Sequence, residues 1–111
     1  MESKKNWERT KNYQNLRKDL LEDLEARGLV SEVYTESVER YMTLWVLYQE
    51  AQADIKERGM VVPDGRGAKV ENRMISLSLQ TSKEMRAIYA DLGFKEAALK
   101  GGNAGAGDDE L

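Results

Sequence analysis

The 111-residue chain contains no cysteine and no histidine. The missing cysteine excludes disulfides and thiolate metal sites, and the missing histidine removes the most common general base and an important metal ligand. No apolar run approaches the roughly 18 residues of a membrane span, and the first residues lack the apolar segment of a signal peptide. We therefore expect a protein without cofactor, metal or membrane contact, in a reducing cytoplasm.

Proline is also scarce, with Pro63 as its single example, and neither proline nor glycine interrupts the chain between Thr35 and Glu57. Apolar residues recur there every three or four positions, which predicts one helix of about 35 Å. Its apolar belt is too wide for a single neighbour, so we expect a second subunit to cover part of it. The predicted oligomer interface consists of Tyr41, Met42, Trp45, Val46 and Tyr48.

An earlier helix is predicted from a start between Asn6 and Tyr13 to Arg27, with Gly28 as its C-cap. Its apolar stripe consists of Leu16, Leu20, Leu21 and Leu24. A short joint connects it to the central helix, which is capped by either Ser31 or Thr35 and ends at Arg58-Gly59. A short joint between two amphipathic helices favours an antiparallel helical hairpin.

After the central helix, a Pro-Asp-Gly turn stands between two short β-favouring runs, 60–62 and 68–71. This pattern predicts a small β-hairpin or a loop. Asn72 is the predicted N-cap of a third helix, Arg73 to Asp91, with an apolar stripe that includes Ile75, Leu79 and Met85. Residues 95–99 are compatible with one further helical turn. The predicted fold class is all-α and oligomeric.

Charge is distributed unevenly along the chain, although the formal net charge is only -3. We expect three regions: a flexible basic arm (1–12), a helical oligomerisation domain (13–100) and a flexible Gly-rich acidic tail (101–111). The basic residues near the N-terminus are the best candidates for binding nucleic acid, with a solvated charge run as the alternative. These candidates are Lys4, Lys5, Arg9, Lys11, Arg17 and Lys18. A second, weaker basic patch consists of Arg66, Lys69 and Arg73.

Catalytic signatures are weak. Carboxylates recur three or four residues apart on helices, for example Asp54 with Glu57, but such pairs are usually solvated surface. Gly65-Arg66-Gly67 lacks the spacing of a phosphate-binding loop, and turn formation explains both glycines. We therefore expect a non-enzymatic protein, with a carboxylate-based nuclease as the least favoured alternative.

Four stretches of the sequence resemble one known family when they are taken in order. They are Tyr41-x-x-x-Trp45-x-x-x-Gln49-Glu50-Ala51, Gly59-Met60-Val61, Val70-Glu71-Asn72-Arg73 and Met85-Arg86-x-x-Tyr89-x-x-Leu92-Gly93-Phe94. Together they resemble the small subunit of bacteriophage terminases, over about Leu24 to Leu99. The similar branch carries Asn-Pro before its last long helix and Leu-Gly-Leu-Thr-Pro after it. Here Arg73 replaces the proline and Lys95-Glu96 replaces Thr-Pro.

This resemblance implies a non-catalytic packaging factor that acts in the cytoplasm of the infected bacterial host. Such subunits form homo-oligomeric rings, bind double-stranded viral DNA and present it to the large terminase subunit, which carries the ATPase and nuclease. The alternative from the sequence is a small all-α protein-interaction adaptor that does not bind DNA.

Overall fold

The computed structural model describes residues 5–94. Within this range the chain forms a 3-10 turn, three α-helices and a two-stranded sheet. The turn is Trp7–Arg9; the helices are α1 (Lys11–Ala26), α2 (Glu32–Arg58) and α3 (Arg73–Asp91); the strands are β1 (Val61–Pro63) and β2 (Lys69–Glu71). The predicted helical fold with a long central helix is confirmed, and the segment predicted as a β-hairpin or a loop is a β-hairpin. Lys4, the predicted turn at 95–99 and the tail at 101–111 lie outside the described residues.

Helix ends follow the local signals. Gly28 adopts a φ of +79°, and the N–H of Leu29 donates a 2.9 Å hydrogen bond back to the carbonyl of Leu24. Glycine adopts this left-handed conformation without a Cβ penalty, so α1 stops where the sequence predicts. α2 begins directly after Ser31, the earlier of its two predicted caps, and ends at Gly59.

The main core lies between α1 and the first half of α2, which run antiparallel, and the chain following α3 closes it. Its members are at most 7% exposed: Leu20, Leu24, Val38, Met42, Leu92 and Phe94. Burying each large apolar side chain stabilises the fold by roughly 1.5–3 kcal/mol. The guanidinium of Arg27 donates a 2.8 Å hydrogen bond to the carbonyl of Leu92, which joins the end of α1 to the end of α3.

α3 returns antiparallel along α2 and buries small polar side chains. Ser78 and Thr81 are 4% and 3% exposed, and the side-chain amide of Gln52 on α2 donates to the hydroxyl of Ser78. The prediction that Leu79 belongs to the buried stripe is wrong, because Leu79 is 68% exposed. The buried face of α3 instead contains Ser78 and Thr81, and Ser78 is the residue directly before Leu79.

The β-hairpin is antiparallel and pairs Val62 with Val70. Val62 is buried, whereas Val61 and Val70 are exposed. At the tip, the carboxylate of Asp64 accepts hydrogen bonds from the backbone N–H groups of Arg66 and Ala68, at 2.7 and 3.2 Å. Together with the backbone hydrogen bond from the N–H of Asp64 to the carbonyl of Ala68, at 2.9 Å, these bonds hold the predicted turn.

Asn72 connects the hairpin to both adjoining helices and is fully buried. Its Nδ2 donates to Asp54 Oδ2 at 3.0 Å and to the carbonyl of Gly59 at 2.9 Å, and its Oδ1 accepts from the N–H of Met74 at 2.9 Å. The last bond confirms Asn72 as the predicted N-cap of α3.

Candidate nucleic-acid interface

The N-terminal basic segment is anchored to α2 by an aromatic cluster. The indole of Trp7 meets the indole of Trp45 edge-to-face, with ring centroids 6.1 Å apart, and Tyr13 lies 5.8 Å from the same indole. Edge-to-face pairs of this kind contribute roughly 0.5–1.5 kcal/mol beyond their buried area. The hydroxyl of Thr10 caps α1 by accepting from the N–H of Tyr13 at 3.2 Å, and it donates to the carbonyl of Trp7 at 2.7 Å.

This anchor involves residues 5–12, the described part of the predicted basic arm. Residues 7–9 form a turn there, and α1 begins at Lys11. The polar sequence conceals this order, since Trp7 is its only large apolar side chain and Trp45 lies far away along the chain. A lone tryptophan in a charged segment was the available signal.

Three of the predicted DNA-binding residues surround the ordered turn. Lys5, Arg9 and Lys11 are all exposed, and Nζ of Lys5 lies 4.5 Å from the centroid of the Trp7 ring. A cation above an indole face is held by the ring quadrupole while its remaining side stays open to solvent. Glu8 is the acidic residue within this turn. The arrangement presents basic side chains on a fixed support.

The other two described candidates are paired with acids. Arg17 Nε donates to Glu39 Oε2 at 2.9 Å, an ion pair between α1 and α2. The hydrogen bond to Glu39 raises the pKa of Arg17, which stays charged. Lys18 Nζ lies 3.7 Å from Glu22 Oε2, and both side chains are exposed. Arg17 therefore serves the helical hairpin, and Lys18 is a weakly held surface charge.

The predicted interface residues on α2 do not share one environment. Tyr41, Trp45, Val46 and Tyr48 are half-buried, so the chain covers them incompletely. Met42 is fully buried in the core of its own chain, and its assignment to an oligomer interface is therefore corrected. Leu47, which the sequence analysis did not assign to the interface, is 39% exposed.

A groove of about 360 Å³ opens between α1 and α3 beside these residues, and its lining includes Leu16, Tyr41, Tyr48 and Tyr89. The rings of Tyr41 and Tyr89 lie 5.9 Å apart. Burial, followed by the proximity of Tyr89, raises the pKa of Tyr41. The hydroxyl of Tyr41 therefore stays neutral, and the groove lining combines aromatic rings with the cationic side chain of Arg86.

The acidic residues within residues 5–94 do not converge on a metal site. No group of three acidic residues there is positioned to hold a metal ion. Several carboxylates instead pair with arginines on the surface, such as Asp23 with Arg27 and Asp54 with Arg58. No helix in the same range is long and apolar enough to cross a membrane.

The class defined by this geometry is a small helical protein with an ordered basic segment and an incompletely covered central helix. Comparison with protein families identifies the family. The family model described as "Phage terminase, small subunit" matches residues 14–108. This match spans most of the chain, so the chain belongs to the phage terminase small-subunit family and has a role in phage DNA packaging. Searches of curated proteins and of solved structures returned no match.

Proposed function

We propose that this chain is the oligomeric, non-catalytic DNA-binding component of a phage packaging system. It binds double-stranded viral DNA in the host cytoplasm and presents it to the large terminase subunit, which carries the ATPase and nuclease. Family membership supports the packaging context. The observation that supports DNA binding most directly is the basic turn that Trp7 holds against Trp45.

The turn suits duplex DNA because phosphate contacts need exposed cations in a fixed arrangement. Lys5, Arg9 and Lys11 provide three of them within seven residues. Neutralising phosphates releases bound counterions, so each contact strengthens binding and makes it salt-sensitive. In an oligomer the contacts of one subunit are multiplied, and a chain with a negative net charge can still bind DNA.

Oligomerisation is supported by the residues that α2 leaves incompletely covered. Val46 is half-buried and Leu47 is 39% exposed. By helical spacing, Leu47 lies on the side of α2 away from Met42 and the α1 contact, whereas Val46 follows Met42 by four residues and lies beside that contact. We assign Tyr41, Trp45, Val46 and Tyr48, together with Leu47, to contacts between copies.

DNA binding is tested with two triple variants of equal charge change. Lys5, Arg9 and Lys11→Ala removes the basic turn, whereas Arg66, Lys69 and Arg73→Ala removes the hairpin patch. Fluorescence anisotropy with a labelled duplex, measured between 50 and 200 mM salt, gives the affinity and its salt slope. We expect the first variant to lose about three units of slope and the second to retain the slope of the unmodified chain.

Two results would contradict the proposal. Absence of binding by the unmodified chain at 50 mM salt would favour the adaptor that does not bind DNA. Equal binding by the unmodified chain and the turn variant would exclude the basic turn as the contact. Extending the turn variant with Lys4→Ala tests the remaining arm residue.

A further inference from the structure

α2 extends well past the helix that covers its first half. Tyr13, near the start of α1, lies against Trp45, and α2 continues for 13 more residues to Arg58. These residues add about 20 Å of helix. α3 packs along one side of this extension, but within residues 5–94 no helix covers the side in line with α1. The Trp7 turn closes the upper end of the resulting space.

This space is an open groove of about 570 Å³, which we call the Trp7 groove. Its lining consists of Trp7, Gln49, Gln52, Ala53, Ile55 and Lys56. Trp7 and Ile55 are half-buried and provide an apolar floor, whereas Lys56 is exposed. The amide of Gln52 is engaged with Ser78, so Gln49 provides the remaining amide group.

The face of α2 that lines the Trp7 groove differs in charge from the adjacent face of the same helix. Gln49, Gln52, Ala53 and Lys56 follow one another at steps of three, one and three residues, so they share one side of the helix. The acids of the same segment, Glu50, Asp54 and Glu57, fall on a different stripe at steps of four and three residues. The groove lining therefore holds a cation and no carboxylate, with Lys5 on the Trp7 ring at its edge.

We propose that the Trp7 groove seats one strand of the DNA backbone, with Lys56 as a phosphate contact additional to the basic turn. This inference rests on the proposed DNA-binding function and extends its site from the N-terminal turn onto α2. Lys5 and Lys56 contact phosphates, the amide of Gln49 donates to phosphate oxygens, and Trp7 and Ile55 pack against the sugars. Backbone contacts of this kind position a duplex without reading its sequence.

The test compares Lys56→Ala with Lys83→Ala, a matched exposed lysine on α3. Both variants of the full chain are titrated into two labelled duplexes of unrelated sequence, in a salt series from 50 to 200 mM. We expect Lys56→Ala to lower the salt slope by about one unit. The factor by which the affinity falls between 50 and 200 mM salt is then roughly threefold smaller than for the unmodified chain. The change should be equal on both duplexes, and Lys83→Ala should leave the slope unaltered.

Trp7 variants test the apolar floor of the groove. Trp7→Phe retains an aromatic ring there, and we expect it to bind DNA more tightly than Trp7→Ala. Unaltered affinity and slope for Lys56→Ala, while the basic-turn triple variant loses binding, would overturn the groove and leave the proposed function standing. Equal losses of DNA affinity in Lys56→Ala and Lys83→Ala would also overturn the groove, since binding would then depend on any exposed lysine rather than on this site.

If the unmodified chain does not bind DNA, both proposals fail. If Lys56→Ala changes the molar mass in light scattering and not the DNA slope, the groove is a contact between copies instead.

Discussion

The side chain of Asn72 donates a hydrogen bond from Nδ2 to Oδ2 of Asp54 across 3.0 Å. This bond connects the residue that caps α3 to the last turns of α2, with the hairpin between them. Asn72 is fully buried, so its polar atoms have no access to solvent in the folded chain. One amide group therefore contributes to fixing the hairpin relative to both α2 and α3.

Replacing this amide should destabilise the fold more than a typical polar substitution. Asn72→Ala removes the cap on Met74 and leaves the carbonyl of Gly59 without its amide partner. We expect a loss of roughly 2–3 kcal/mol, measured by urea denaturation. Asn15→Ala, an exposed asparagine on α1, is the control and should change stability by less than about 0.5 kcal/mol. Equal stability of the two variants would show that the hydrogen bonds of the Asn72 side chain do not stabilise the fold.

Asp54 should contribute to the acid sensitivity of the fold. The hydrogen bond from Arg58, followed by that from Asn72, lowers the pKa of Asp54 below its ordinary value of 3.8. A carboxyl with a lower pKa in the folded state stabilises the fold above its unfolded pKa, and this contribution is lost as the pH falls through the folded value. Asp54→Asn should therefore be less stable than the unmodified chain at pH 7, and the gap should narrow below about pH 4.

The measurement is a series of denaturation curves between pH 2 and pH 7. Glu57→Gln is the control, because Glu57 is an exposed acid on the same helix outside the hydrogen-bonded group of Asp54, Arg58 and Asn72. A constant gap between Asp54→Asn and the unmodified chain over the whole range would contradict the assignment.

Alanine substitutions at two glycines of the same backbone conformation distinguish the cost of backbone strain from the cost of a steric contact. Gly28 and Gly93 have φ of +79° and +78°, but an added Cβ meets nothing within 4 Å at Gly28 and lies 2.7 Å from Arg27 Nη1 at Gly93. Gly28→Ala should cost about 1 kcal/mol for the left-handed backbone. Gly93→Ala should cost about 1 kcal/mol more, because Arg27 must move from the carbonyl of Leu92.

Thermal or urea denaturation of the two alanine variants checks this difference. Adding Arg27→Met to each glycine variant provides a double-mutant cycle. We expect the extra cost at Gly93 to shrink in the Arg27→Met background. If the stability difference between Gly28→Ala and Gly93→Ala is unchanged in the Arg27→Met background, the contact with Arg27 is not its cause.

The exposed side of α2 should govern assembly. Leu47→Glu places a charge where Leu47 is 39% exposed, and burying an unpaired carboxylate between copies is unfavourable. We expect light scattering to give a multimer for the unmodified chain and a smaller species for Leu47→Glu. Val30→Glu, at an apolar residue 64% exposed in the joint between α1 and α2, should keep the full molar mass. A monomeric unmodified chain at micromolar concentration would contradict the assembly itself.

Helix limits and turns were predictable because their causes act over a few residues. Gly28 and Gly59 end helices by their own conformational freedom, Asn72 caps the helix that follows it directly, and Asp64 holds the five-residue turn that ends at Ala68. The ordered motifs also resembled the terminase small-subunit family, and the family comparison confirmed that membership.

Contacts between distant residues were decided by packing. The pairing of Trp7 with Trp45 holds the basic turn against α2, and a lone tryptophan in the sequence does not show which distant residue it packs against. Packing also removed Met42 from the surface, paired Arg17 with Glu39 and turned Leu79 outward. Helical periodicity limits which residues share a face, but which face is buried depends on where the neighbouring helices stop. Here α1 begins level with Trp45, so the last turns of α2 extend beyond it, and this difference in length leaves the Trp7 groove open.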